Sequence, residues 1–415
     1  MRVRRFNVIG LLLMALLAGC GSSSTGAKAT PTSTVVPTAT LVPHQLGAYL
    51  GTGKTLFALD PATGAQRWKY DVTDSSVIGG FHNIWVVNDT VFFAIGNTSW
   101  LYALSANDGA LRWKVHEGPN SADPFGPIDQ LVVASGVVYT ASTASQVPSG
   151  TFAINLTSGQ VIWQKSGPAT LTTDEHTVYL VETPPSQGDT PTNGTISALK
   201  ASDASMLWQV NDHPFGRVIA DGNALYVTAG KTLFAFNTQT GAALWTKDFD
   251  GGLYTFIKGA NALYLTDEVT LYALDPATQK LVWQTALANN GTIQYRGGTL
   301  FVAAYKQLSG VNATTGAQLW SQPILSGFAD AFSMNDIASF MHIGEPSSGN
   351  LYAITTATGK ALWTSKTMAV VGPTYATETS VYALTVSSST PAAGSVVNAL
   401  SAATGALQWK FDAHS

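Results

Sequence analysis

Residues able to do acid–base, metal or nucleophilic chemistry are thinly spread along this chain. Its seven histidines (His44, His82, His116, His176, His213, His342 and His414) include no H-x-H or HExxH spacing. Close sequence spacing therefore supplies no pair of imidazoles for a transition metal, which leaves only histidines brought together by the fold. The densest acidic stretch, Asp248-Phe249-Asp250-Gly251-Gly252, lacks a third oxygen ligand and has Gly259 where an EF-hand-type loop closes on glutamate. It reads as a polar strand end followed by a turn. No G-x-S-x-G elbow and no P-loop occurs, which removes the serine hydrolase and nucleotide-hydrolysing classes. The expectation is a chain with no catalytic residues and no metal site.

One reactive group does stand out by position. Cys20 is the only cysteine in 415 residues, and it follows Leu17-Ala18-Gly19. Upstream lie a basic start (Arg2, Arg4, Arg5) and an apolar run, Val8 to Leu17, too short for a comfortable membrane span. This pattern looks like a lipobox, with residues 1–19 as the leader and Cys20 as the lipid-accepting residue. A lone cysteine also leaves no partner for an intramolecular disulfide, so stability after export must come from burial.

Residues 20–45 are rich in Ser, Thr, Pro and Ala and nearly uncharged. Such a stretch cannot bury enough surface to fold alone and reads as a flexible spacer. The net charge of −4, from 21 basic and 25 acidic residues without a basic run, argues against nucleic acid as a partner. The remaining residues, 46–415, are read as one monomeric domain.

The elements that would position any site come from a repeat. A small residue at i, usually Gly at i+6 and Trp at i+10 recur nine times, ending at Trp68, Trp113, Trp163, Trp208, Trp245, Trp283, Trp320, Trp363 and Trp409. Only Trp85 and Trp100 stand outside the series. The period of the repeat is that of propeller blades, and the β-rich runs before each motif read as four-stranded antiparallel meanders. Turns such as Asp60-Pro61-Ala62-Thr63-Gly64 place Gly where a left-handed conformation is needed. Ala204 and Gln279 occupy that place in two units, which must either avoid positive φ or tolerate strain. The nine tryptophans are expected to lock blade to blade.

The segments LFALDPATGAQRW, LYALSANDGALRW, LYALDPATQKLVW and LYAITTATGKALW resemble the tryptophan-docking motif of the PQQ-type, quinoprotein-like β-propellers. That resemblance implies an all-β fold of eight four-stranded blades, although the motif count is nine and an irregular closure is expected. The family includes quinoprotein alcohol dehydrogenases and non-catalytic, BamB-like envelope lipoproteins. Its dehydrogenases use a vicinal disulfide, Ca²⁺ and an Asp base. The cysteine pair is absent here.

The favoured reading is thus a lipid-anchored extracytoplasmic propeller that binds envelope proteins or an extracellular ligand, without cofactor or catalysis of its own. The alternatives are a PQQ-binding dehydrogenase and a glycan-binding propeller. Candidate binding residues come from two Pro-Phe-Gly turns that precede innermost strands: Phe125 in one, and His213, Phe215 and Arg217 around the other. The long loops 183–193 and 344–349 join them. If Cys20 carries the anchor, Cys20→Ala shifts the protein from the detergent to the aqueous phase and removes the acyl mass, read by phase partition and intact mass. An unchanged mass and partition would show that Cys20 is not the anchor.

Overall fold

The computed structural model of the chain describes residues 47–75, 77, 81–95, 100–116, 128–142, 150–174, 176–182, 193–211, 213–287, 291–304, 307–323, 332–334, 338–343, 349–370, 375–386 and 395–413. Cys20 and the spacer fall outside them. All 35 elements are β-strands, and residues 45–415 form one compact body. It is a β-propeller.

Eight consecutive units have four strands in meander order, and a first unit has three: Ala48–Thr52, Thr55–Leu59 and Gln66–Asp71. Its Ala58 and Trp68 occupy the motif positions of the last two strands of every other unit. The described strands of unit 1 therefore correspond to the second, third and fourth. Unit 1 nevertheless holds its own place in the ring. Trp409 of unit 9 lies over Gly64 of unit 1 and donates its indole N–H to the Pro61 carbonyl at 3.0 Å. Among the described residues the eight four-stranded units implied by the resemblance are present, and the irregular closure is a ninth, three-stranded unit. Units 8 and 9 are also joined edge to edge, through Val370 and Thr385.

Strand position decides burial. Second and third strands sit between two neighbouring sheets, so both of their faces are covered and they read as continuous apolar runs. Thr90–Ile95 and Thr299–Ala304 are buried at every residue. First strands are mostly half-buried, as in Gln130–Ala134 and Val218–Asp221. They approach one another from unit to unit, those of units 3, 4 and 5 in succession and that of unit 6 against unit 7, and so line the axis. Fourth strands form the outer edge and expose alternate residues.

The motif spacing follows from register. In all nine units the small residue is the direct cross-strand partner of the tryptophan, from Ala58 opposite Trp68 to Ala399 opposite Trp409, and a β-bulge follows immediately. The small residue leaves room for the indole. A Cβ on Gly310 would lie 2.3 Å from the Trp320 ring. The bulge places two successive residues outward, which accounts for exposed pairs such as Val161–Ile162, Met206–Leu207 and Leu281–Val282.

A second aromatic series escapes the sequence pattern. Tyr49, Phe92, Tyr139, Tyr179, Tyr226, Tyr264, Phe301 and Tyr382 on second strands pair with the small residue on its other side. Each ring stands 5.6–6.4 Å from its own unit's docking tryptophan. Such tilted pairs add to area burial by about 0.5–1.5 kcal/mol.

Each docking indole faces the turn of the next unit. Gly64, Gly109, Gly159, Gly241, Gly316, Gly359 and Gly405 hold φ between +65° and +74°. A Cβ on any of them would lie 2.3–2.7 Å from the preceding unit's tryptophan. The two exceptions tolerate the strained conformation, with φ +58° at Ala204 and +62° at Gln279. Gly109→Ala is expected to cost roughly 2–5 kcal/mol, combining overpacking against Trp68 with a left-handed alanine. Urea denaturation of the variant measures it, and a loss below about 1 kcal/mol would count against this packing account.

Candidate functional site

Antiparallel alternation gives the ring two unlike faces. One face carries the turns between first and second strands (two to four residues) and between third and fourth strands (five or six residues). Four of the third-to-fourth turns are built alike. The Asp60 carboxylate accepts the Ala62 and Thr63 N–H groups, and the Asn155, Asn237 and Asn312 amide oxygens do the same in their units. The other face carries the second-to-third turns, two to twelve residues long, and the unit-to-unit connections, two to thirteen residues long. Variation in length is therefore confined almost wholly to one face. The connections holding Phe125, residues 183–193 and residues 344–349 all join strands on that side. Phe125 and most of those two loops lie outside the described residues.

The connection from unit 4 to unit 5 carries three of the candidate residues. Its backbone is fixed by Gly194 N–H to the His213 carbonyl (2.7 Å), Gly216 N–H to the Thr228 carbonyl (2.6 Å) and Arg217 N–H to Thr228 Oγ1 (3.1 Å). His213 is half-buried, with its ring 4.5 Å from Phe234 and 5.8 Å from Phe215. Phe215 is 1 % exposed and packs edge-on to Phe234 and Phe236. It is a core side chain and offers no binding surface. Arg217 is exposed and forms no ion pair among the described residues. The structure thus brings His213 and Phe215 together as a wall and leaves Arg217 facing solvent.

Two further clusters on this face were not singled out from the sequence. Between units 1 and 2, Asp74 accepts Lys114 Nζ at 2.7 Å, and its carbonyl accepts Lys54 Nζ at 3.3 Å. Lys114 lies 5.0 Å from the Trp100 ring, which meets His116 edge-on at 4.9 Å. Beneath them the Tyr102 hydroxyl is buried without a hydrogen-bond partner. Burial first, then the nearby Asp74 and Tyr70, push its pKa up to about 12. Trp100 was visible in the sequence as a tryptophan outside the docking series, but nothing in its spacing marked Lys114 and His116 as neighbours.

Between units 5 and 6, Asp267 is 2 % exposed. It accepts the Val269 and Thr270 N–H groups (2.9 and 2.6 Å) and the Tyr272 hydroxyl (2.7 Å). Burial pushes its carboxyl up, but these donors outweigh burial and hold it below the usual carboxylate range. The acidic stretch 248–252 is spent locally. Asp248 accepts the Thr232 hydroxyl, Phe249 packs on Tyr272, and Gly251 lies against Asp267.

A calcium-bound quinone needs several oxygen donors converging on one point. Among the described residues no three His, Cys, Asp or Glu side chains gather so as to hold a metal. The Asp221 carboxylate near the axis is engaged by Lys258. The described residues thus offer no carboxylate cluster for that ion. No helix among them is long and apolar enough to cross a membrane.

The sequence profile of the family described as outer membrane protein assembly factor BamB matches residues 30–190, 192–339, 231–378 and 346–415. No curated protein matches in sequence. Similar solved structures include a quinohemoprotein alcohol dehydrogenase from Pseudomonas putida HK5, with TM-score 0.54 and 14% identity over 82% of this chain and 74% of that one. BamB from Moraxella catarrhalis gives TM-score 0.50 and 14% identity over 81% of this chain and 97% of that one. At such identity the likeness speaks for fold alone.

The depressed Asp267 pKa carries a sign. Its contribution to stability is present above the unfolded carboxyl value, about 3.9, and is lost as pH falls through the lower folded value. Asp267→Asn is expected to cost about 1–3 kcal/mol at pH 7 and to flatten the acid limb of the stability curve. Thermal melts from pH 7 to pH 2 measure both effects, and an unchanged acid limb would count against the assignment.

Proposed function

This chain belongs to the family of outer membrane protein assembly factor BamB, and from that premise we propose that it is a lipid-anchored, extracytoplasmic scaffold that binds envelope proteins. The observation that carries this reading is the division of labour between the two faces. A ring held by repeated contacts needs its turns alike, and one face has them alike. The other face departs from the repeat in length and composition, which is where a scaffold would diversify without disturbing its frame. Exposed Arg217 and the Trp100–Lys114–His116 group give that face both charge and aromatic surface, the residue types favoured at protein interfaces.

The leader and Cys20 support tethering at a membrane, with residues 20–45 as the spacer. The dispersed charge favours a protein or neutral ligand over nucleic acid as the partner. The quinone-dependent and glycan-binding readings share this fold, and they are separated by what the protein retains.

Photo-crosslinking in intact envelopes tests the reading. A crosslinker replacing Arg217 or Glu268, on the variable face, is expected to trap a reproducible protein partner, and one replacing Asp108 or Thr240, on the turn face, to trap none. Equal trapping from both faces would remove the basis of the proposal. A bound chromophore and alcohol oxidation after adding PQQ and Ca²⁺ would replace it with the dehydrogenase reading, and selective retention on a glycan array would replace it with the glycan reading.

A further inference from the structure

Seven of the nine docking tryptophans complete their contact by donating the indole N–H to a carbonyl of the next unit. The acceptors are Ala106, Leu156, Thr238, Ala313, Thr356, Ala402 and Pro61, at 2.7–3.0 Å. Trp163 and Trp245 do not. Among the described residues the buried Trp163 indole nitrogen has no hydrogen-bond partner, and Trp245 makes no such bond. These are the two tryptophans whose turn in the next unit carries Ala204 or Gln279 instead of glycine. The coincidence has a steric cause. At the seven glycines the indole occupies the space that a Cβ would need, so a real Cβ at 204 or 279 displaces the ring from the position that reaches the carbonyl.

The supporting aromatic does not fully compensate. Between units 3 and 4, Tyr139 places its hydroxyl on the Ala201 carbonyl at 3.1 Å. Between units 5 and 6, Tyr226 forms no corresponding bond. Between units 4 and 5 everything is in place. Trp208 lies over Gly241 and donates to the Thr238 carbonyl at 2.9 Å; apolar clusters cross this seam and both deficient ones, so the indole bond is what sets it apart. The polar links that remain across the two deficient seams involve first strands near the axis. Across the first, the Gln130 side-chain oxygen accepts the Leu171 N–H at 2.7 Å and the Ser142 carbonyl accepts the Ala169 N–H at 3.0 Å; across the second, Lys258 pairs with Asp221.

We infer that units 4 and 5, residues 169–248, are a firmly joined pair bounded by two parting lines, and that they loosen from the ring as one segment. The first-strand links act as hinges while the outer edges part. The segment carries Arg217 and the twelve-residue turn 183–194, so its movement repositions part of the variable face. The inference rests on the seams alone and does not depend on the proposed function.

Hydrogen exchange of the indole N–H groups, followed by NMR on the full chain, tests it. Trp163 and Trp245 are expected to exchange at least about tenfold faster than the other seven docking indoles. Ala204→Gly and Gln279→Gly each restore one seam. Because the segment leaves only when both seams open, either single substitution is expected to slow exchange at both Trp163 and Trp245 by about tenfold. Protection of these two equal to that of the other docking indoles overturns the parting lines. A substitution that slows only its own tryptophan overturns movement as one segment. The two variants are independent, so failure of one to fold leaves the other decisive.

Discussion

The ring depends on one repeated interaction, an indole laid flat on a left-handed glycine turn with its N–H directed at a carbonyl of the same turn. Everything around it serves that contact. The small residue opposite each tryptophan clears space beneath the ring, the β-bulge that follows turns the next side chains outward, and the carboxylate or amide of the turn's first residue holds the turn in shape. A tryptophan buries about 150–250 Å², and here most of that area lies between units. Cohesion between units therefore draws little on backbone hydrogen bonds, which among the described strands pair within each unit except where units 8 and 9 meet, with a further bond from the Ala169 N–H of unit 4 to the Ser142 carbonyl of unit 3.

Much of this was legible in the sequence because the contact is local in register. Six residues separate the small residue from the glycine and four more reach the tryptophan, all within one hairpin of constant length. The count of nine places was legible for the same reason. The partner aromatic on the second strand was not, although it pairs with the same small residue. The turn between them varies in length, so Tyr226, Tyr264 and Phe301 precede their motif by nine residues whereas Tyr139 and Tyr179 do not. A fixed spacing is readable, whereas a fixed neighbour reached through a variable turn is not.

The candidate face shows the same limit in stronger form. Arg217 and His213 were recognisable from their turn, and Trp100 from standing outside the series. That Lys114 and Asp74 would meet beside Trp100 depends on how unit 1 sits against unit 2, which no local pattern records. Phe215 illustrates the converse. A Pro-Phe-Gly turn offers a phenylalanine to either solvent or core, and only the arrival of Phe234 and Phe236 from another strand settles it as core.

The place where the ring closes also bears on how it assembles. Trp409 meets Pro61 across 348 residues, whereas the other indole bonds span 30 to 43 residues. Each of those can form as soon as the next unit emerges, so the chain can grow as an open arc, each unit docking on its predecessor. The last contact must await the final strand. Unlike the others, it carries the entropy of joining two distant ends, although that cost rises only slowly with chain length. Until then unit 9 presents an undocked indole and unit 1 a bare glycine turn. A chain emerging in sequence thus passes through one late, aggregation-exposed intermediate, and the rate of ring closure sets how long it persists.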